Sequence, residues 1–445
     1  MISKELADKI EKFEPSKKAA IYSYKTPGTH LIIAGAGTGK TTAITYRIKA
    51  ILEDKEYGTT ADRILCITFT DAAAKEMKKK FLKENLPNAL SINVFTYHSF
   101  CLNLMKQYPE FFDMKNKKEI KPIQKQAIVK ECIDELKNEL KYLGSYSEID
   151  NITKGIEAIK HNRLYNSETG ECDFEDNIKH NDAWQNVLDE YNDNLAEKEA
   201  KNDSKTKTIN KNISEQNDKI EKVRELSKIY NIYKDKASNY IDFDDMINCV
   251  LEQFEKNPDF LKEVASQYDF VLVDEYQDTN KTQNDIVFKL AHNCKNTFVV
   301  GDDDQIIYTF QGASLITIEK FLNEFQDTSV KIFTHNFRST DCILRVSEQL
   351  ANIQDEYVDY YINKKINGCI SKQQIEQGGE SNRVKKIRNK YACSSFSLRL
   401  TSKPEFQKFL KDEDGNKIEF PKHLYSKEEK LQKEDKNTSV ILQEY

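Results

Sequence analysis

No hydrophobic run in this chain approaches the ~20 residues that a membrane-spanning helix needs, so the sequence points to no membrane partner. Its nine cysteines are scattered singly, and no Cys-x-x-Cys pair occurs. That argues against a disulfide framework or a zinc site and suits thiols kept reduced in a cytoplasmic setting. Positive charge is not in surplus: 67 Lys+Arg against 73 Asp+Glu leave a formal net charge of −6. A partner gathered by bulk positive charge is not indicated, while a local basic groove stays compatible with nucleic acid. The first residues, Met1 to Lys9, are charged throughout and lack a signal-peptide core.

What is present is a chain of 445 residues, long enough for about three domains. It is organised around one stretch. Leu31-Ile32-Ile33 reads as a buried strand; Ala34-Gly35-Ala36-Gly37-Thr38-Gly39 is a loop of small residues; Lys40-Thr41-Thr42 opens a helical pattern continued by Ile44, Ile48 and Ile51. This is the pattern of a phosphate-binding loop. Small residues let backbone N–H groups turn inward on phosphates, and the following helix aims its positive end at the same anion. Lys40 is then expected to reach the β- and γ-phosphates and the Thr41 hydroxyl to hold Mg²⁺. Ala34 stands where the strict pattern has glycine. The competing reading, an ordinary tight strand-to-helix turn, explains less of the stretch.

Taken in order, residues 1–30 read as a helix and a loop through Pro27-Gly28. After the phosphate loop, strands are expected at Ile64–Phe69 and Ile92–Phe95, with Asp71 capping a helix from Ala72 to about Lys83. Alternating strands and helices argue for a parallel sheet covered on both faces. From 113 to 240 the pattern becomes helical and charged, and reads as a helical insertion between two parts of one α/β domain, 1–112 and 241–327. Within it, Lys198 to Lys219 is nearly all polar and reads as a solvated hairpin or flexible segment. The strand Phe270–Val273 ends in Asp274-Glu275, which sets one acid beside the Thr41-bound Mg²⁺ and the other where it orients an attacking water. The strand Asn296–Val300 runs into Gly301–Ala313, and Val330–Phe333 leads to Asn336-Phe337-Arg338-Ser339-Thr340. A lone Arg at a strand exit suits a surface salt bridge as well as a transferring phosphoryl group.

In series these segments resemble the UvrD/Rep-like superfamily 1 DNA helicases. The resemblance rests on Ala34–Thr42, Ile67–Thr70 with Ala72–Met77, Phe95–Phe100, Val273–Asn280, Gly301–Ala313 and Asn336–Thr340, all in the family's order. It implies a RecA-like P-loop domain, a helical insertion, and a second RecA-like domain over 328–445. It also implies ATP hydrolysis coupled to 3′-to-5′ movement on single-stranded DNA. Carried over residue by residue, Lys40, Thr41 and the loop bind nucleotide and Mg²⁺, Asp274 supports the metal and Glu275 activates water. Gln305 senses the γ-phosphate, Arg338 acts as an arginine finger, and Phe337 packs on the adenine ring. The family also grips its strand with aromatic side chains, and Phe69, Tyr97, Tyr308 and Phe310, with His98 nearby, fall at or beside such places. Core packing suits Phe69 and Tyr97 equally well.

Three departures qualify the resemblance. Lys17 aligns with a family Gln that reads adenine; Gln311 replaces an Arg before Gly312; and beyond about residue 350 the last two helicase motifs are not matched. The second RecA-like domain is therefore expected to be truncated or divergent. An absent arginine finger can remove about 10³–10⁵ in rate. The sequence thus leaves two readings: an ATP-dependent helicase or translocase, alone or with a complementing protein subunit, and a nucleotide-gated DNA-binding fragment without independent unwinding.

Overall fold

The strands alternate their side chains between two buried faces, so a single sheet feeds two hydrophobic cores. The computed structural model describes residues 2–114, 117–179, 181, 188, 191–192, 195, 206–302, 316–339, 343–344 and 425–426. Helices α1 (Lys4–Ile10) and α2 (Pro15–Tyr22) precede β1 (Gly28–Ala34), which runs into α3 (Lys40–Glu53). Then come β2 (Ile64–Thr68), α4 (Asp71–Lys83), β3 (Asn93–Thr96) and α5 (Tyr97–Gln107). After a helical excursion the chain returns through α9 (Phe243–Lys256), α10 (Pro258–Ser266), β6 (Phe270–Val273), α11 (Lys281–Ala291), β7 (Asn296–Gly301), α12 (Ile316–Glu324) and β8 (Ser329–Phe333). Six of these strands form one sheet, ordered β3-β2-β6-β7-β1-β8, and every pairing is parallel.

Leu31, Ile33, Leu65, Ile67, Val271, Val273 and Val299 point to one face, where α5 and α9–α12 cover them. Ile32, Ile64, Cys66, Leu272, Phe298 and Val300 point to the other, under α1–α4. The sheet is the RecA-like α/β core that the sequence implies. All its strands end on one edge, so the loops after β1, β6 and β7 gather there, as open parallel sheets require.

The excursion is helical, with α6 (Pro122–Leu136), α7 (Ile149–Asn162) and α8 (Thr206–Lys236) around a core of their own. A two-residue parallel pair closes its neck, β4 (Lys118–Glu119) against β5 (Tyr240–Ile241). Buried ion pairs bind this body to α9: Asp242 meets both Lys125 and Lys160, and Lys160 also meets Asp245. The described part of the polar stretch Lys198–Lys219, from Thr206 onward, belongs to α8, and the rest of the stretch lies outside the described residues.

Two expectations need correction. β8 pairs with β1 through Leu31↔Val330 and Ile33↔Ile332, so the boundary drawn at 327/328 cuts through the sheet. The alternation of Val330, Ile332 and Phe333 already marked a buried strand; its membership in the first sheet depended on a pairing that local pattern does not encode. The cap of α4 is Thr70, in extended conformation, whose hydroxyl accepts from Ala73 N at 3.1 Å. Asp71 instead sits in the first turn, where its charge suits the helix dipole. Among the described residues no helix is long and apolar enough to cross a membrane.

Candidate nucleotide site

β1 delivers Ala34 to the sheet edge, and the chain then turns back on itself. Thr38 Oγ1 donates to Gly35 O at 2.7 Å and fixes the turn. Gly37 and Gly39 have φ of +74° and +89°, which residues with a Cβ rarely adopt. Gly39 caps α3, so Lys40, Thr41 and Thr42 form its first turn. The loop thus presents backbone N–H groups and a helix N-terminus together.

Across β7, the end of β6 carries the two acids. Asp274 is buried, and Glu275 takes a left-handed conformation at φ 51°, an uncommon one for a side-chain-bearing residue and typical of strained functional positions. Lys40 Nζ donates to Glu275 Oε2 at 2.9 Å, so the loop and the acid strand converge. Gln277 Nε2 donates to the same oxygen at 2.8 Å, while Gln277 Oε1 accepts from Asp302 N at 2.9 Å. One amide therefore links Glu275 to the end of β7, where Gly301–Ala313 begins.

Burial first, then the adjacent Glu275, push the Asp274 carboxyl up to about 7, with Lys40 pulling the other way. Burial and Glu275 likewise raise Asp278 to about 6, and its Oδ1 has no hydrogen-bond partner among the described residues. Clustered, underneutralised carboxylates are hard oxygen donors of the kind that suits Mg²⁺. The residues therefore fit that ion, with Thr41 and Asp274 as those that would hold it. Among the described residues no group of three or more His, Cys, Asp or Glu forms a closed metal cluster.

The segment after β8 folds over the loop. Asn336 Nδ2 donates to Ala36 O at 2.6 Å, and Phe337 N donates to Gly37 O at 2.9 Å. Asn336 Oδ1 accepts from Arg338 N and Ser339 N. A Cβ on Gly37 would lie 2.7 Å from Arg338 Cβ, so the packing leaves no room for a side chain there. Phe337, 37% exposed, and Arg338, also exposed, are thus tied to the phosphate loop. Asn336 makes the tie, and its role was not anticipated; its place between the strand and Phe337-Arg338 was the available signal. Lys80 was also missed: it donates to Thr42 Oγ1 at 2.8 Å.

The expected strand-gripping aromatics separate. Phe69 is half-buried at the end of β2. Tyr97 is 1% exposed and packs in the core with Phe100 and Leu104, so no base can stack on it in this structure. That corrects its expected contact with DNA: the first turn of α5 rotates Tyr97 inward. His98, partly buried, lies 5.1 Å from the ring of Phe243, which is 55% exposed. The His98–Phe243 pair forms an aromatic surface in this region, and Phe243 is not among the residues that the resemblance picks out. Gln305, Tyr308, Phe310 and Gln311 lie outside the described residues, as does nearly all of 345–445.

A family model described as "UvrD/REP helicase N-terminal domain" matches residues 13–326. Among curated proteins, the ATP-dependent DNA helicase PcrA of Staphylococcus aureus is 28% identical over 358 residues, covering 76% of this chain and 41% of the relative. PcrA of Staphylococcus epidermidis is 29% identical over 338 residues, covering 74% of this chain and 39% of the relative. The chain thus spans about two-fifths of the length of these relatives.

Proposed function

The chain belongs to the UvrD/REP helicase family, and from that premise we propose that it is the nucleotide-hydrolysing part of a DNA motor. The observation that carries this reading is the contact of Lys40 with Glu275, relayed through Gln277 to Asp302. In the proposal, residues 34–42 bind the triphosphate of ATP. Thr41 and Asp274 would hold Mg²⁺, which would supply positive charge against the phosphates. Lys40 leaves Glu275 for the γ-phosphate, which frees the Glu275 carboxylate to take a proton from the attacking water. Phe337 stacks on the base and Arg338 stabilises transferred charge.

The DNA side of the proposal uses Tyr308 and Phe310 with Phe69, His98 and Phe243 as stacking platforms for a single strand, moved 3′ to 5′. Base stacking is sequence-tolerant and worth about 1–3 kcal/mol per base, which suits a translocating motor. Gln305 and Gln277 connect this face to the γ-phosphate. A second reading, nucleotide-gated DNA binding that needs a complementing subunit for unwinding, is supported by Lys17, by Gln311 and by the last two helicase motifs being unmatched beyond about residue 350. Steady-state phosphate release by this chain, with and without single-stranded DNA, separates the two. DNA-stimulated turnover supports the motor; nucleotide-dependent DNA binding without turnover supports the second.

A further inference from the structure

Lys17 is a charged residue in an apolar place. It sits in the first turn of α2 and is 2% exposed. Its Nζ lies 4.3 Å from the Phe337 ring centroid, and 5.5 and 5.6 Å from those of Phe333 and Phe13. Taking an ammonium out of water is costly, and the attraction of the aromatic rings offsets part of that cost.

Phe337 has two faces. The one that Lys17 covers looks towards the phosphate loop, because the same ammonium is 3.2 Å from where a Cβ on Gly39 would stand. The ring is also anchored to that loop, through the Phe337 N–H on Gly37 O. A base attached to phosphates in the loop therefore reaches the covered face first. Stacked atoms lie about 3.5–4.0 Å apart. An ammonium 4.3 Å from the centroid stands in that layer, so base and ammonium exclude each other.

We propose that Lys17 is a built-in plug of the base platform: its ammonium holds the loop-facing side of Phe337, and a nucleotide stacks there only by lifting it off. This rests on the phosphate-loop reading and adds a self-occluding step to that site. The exclusion is steric and applies to any base. It sets how much the base adds to affinity, not which base is chosen. A cation–π contact and a base stack are of the same order. Gain and loss therefore nearly cancel when a base replaces the plug, and the triphosphate carries the affinity.

The ammonium borders the loop, so its charge acts on any polyphosphate. The comparison that isolates the plug sets a nucleotide against phosphates without a base. Isothermal titration of the full 445-residue chain in Mg²⁺, with a non-hydrolysable ATP analogue and with inorganic tripolyphosphate, gives a dissociation constant for each. The ratio of the tripolyphosphate constant to the analogue constant measures what the base and sugar add. Lys17→Ala is expected to raise this ratio about 2- to 30-fold, the span of one cation–π contact. Lys17→Met keeps the bulk of the stem in the apolar site without the charge. It is expected to raise the ratio by less, and it is the variant to read where Lys17→Ala does not fold. In a Phe337→Ala background the platform is gone, and Lys17→Met should leave the ratio where it is. A ratio unchanged or lowered in the Lys17 variants, or a rise that survives Phe337→Ala, overturns the inference and leaves the phosphate-loop reading standing. Binding of neither ligand by the wild type overturns both.

Discussion

Lys40 Nζ sits 2.9 Å from Glu275 Oε2, a pair that spans the phosphate loop and the end of β6. The pair holds each residue away from its proposed task. With Lys40 as its partner, the Glu275 carboxylate is neutralised as a base. Triphosphate binding has to break this contact, so the proposed mechanism begins with an exchange of the Lys40 partner. Lys40→Ala is expected to abolish hydrolysis, with turnover falling at least about 10³-fold as for loss of a transition-state charge, and to weaken nucleotide binding. Phosphate-release assays and mant-nucleotide titration check this; near-normal turnover contradicts the loop assignment.

Gln277 is the polar bridge between Glu275 and the backbone of Asp302. If it carries the signal between hydrolysis and the DNA face, Gln277→Ala reduces DNA stimulation far more than nucleotide affinity. The ratio of turnover with and without single-stranded DNA should fall close to one while mant-nucleotide binding stays within about threefold, the lower end of what one hydrogen bond contributes. An unchanged stimulation ratio removes Gln277 from the coupling route.

Tyr97 and Phe243 make opposite predictions. The Tyr97 hydroxyl is buried with no hydrogen-bond partner among the described residues. Tyr97→Phe is therefore expected to keep or raise the melting temperature and leave DNA affinity alone. Phe243→Ala, at an exposed ring, should weaken single-strand binding by about tenfold, the value of one lost stack, with little change in melting temperature. Thermal denaturation and fluorescence anisotropy with labelled oligonucleotides check both.

His30, in β1, gives the fold an acid limit. Burial, reinforced by the nearby Arg47 guanidinium, lowers its pKa from 6.5 to about 4. The unfolded chain takes up the proton near 6.5 and the folded chain only near 4, so the unfolded state binds more protons between those values. Stability therefore falls as pH drops through that window, by up to about 3 kcal/mol. Urea midpoints measured at pH 7.5 and 4.5 should differ less for His30→Gln than for wild type. Equal differences contradict this role.

The phosphate loop, the acid strand and the parallel α/β order were legible because each combines local chemistry with a strong local pattern. Ala34–Thr42 joins a strand, small residues and a helix start; Phe270–Glu275 joins four apolar residues to two acids. What escaped depends on long-range pairing. β8 looked like the start of another domain because its partner, β1, lies nearly 300 residues earlier. Asn336 opens a segment that the resemblance includes, but its contact with Ala36 O, 300 residues earlier, depends on the same long-range pairing. Tyr97 read equally well as core or as DNA contact because the rotation of a helix's first turn is fixed by packing, not by composition.

The most direct measurement is steady-state nucleotide hydrolysis by this chain, with and without single-stranded DNA, beside Glu275→Gln. The motor reading predicts turnover that DNA stimulates and that Glu275→Gln abolishes while nucleotide binding persists. Turnover untouched by Glu275→Gln, or no turnover at all despite tight nucleotide binding, would contradict it.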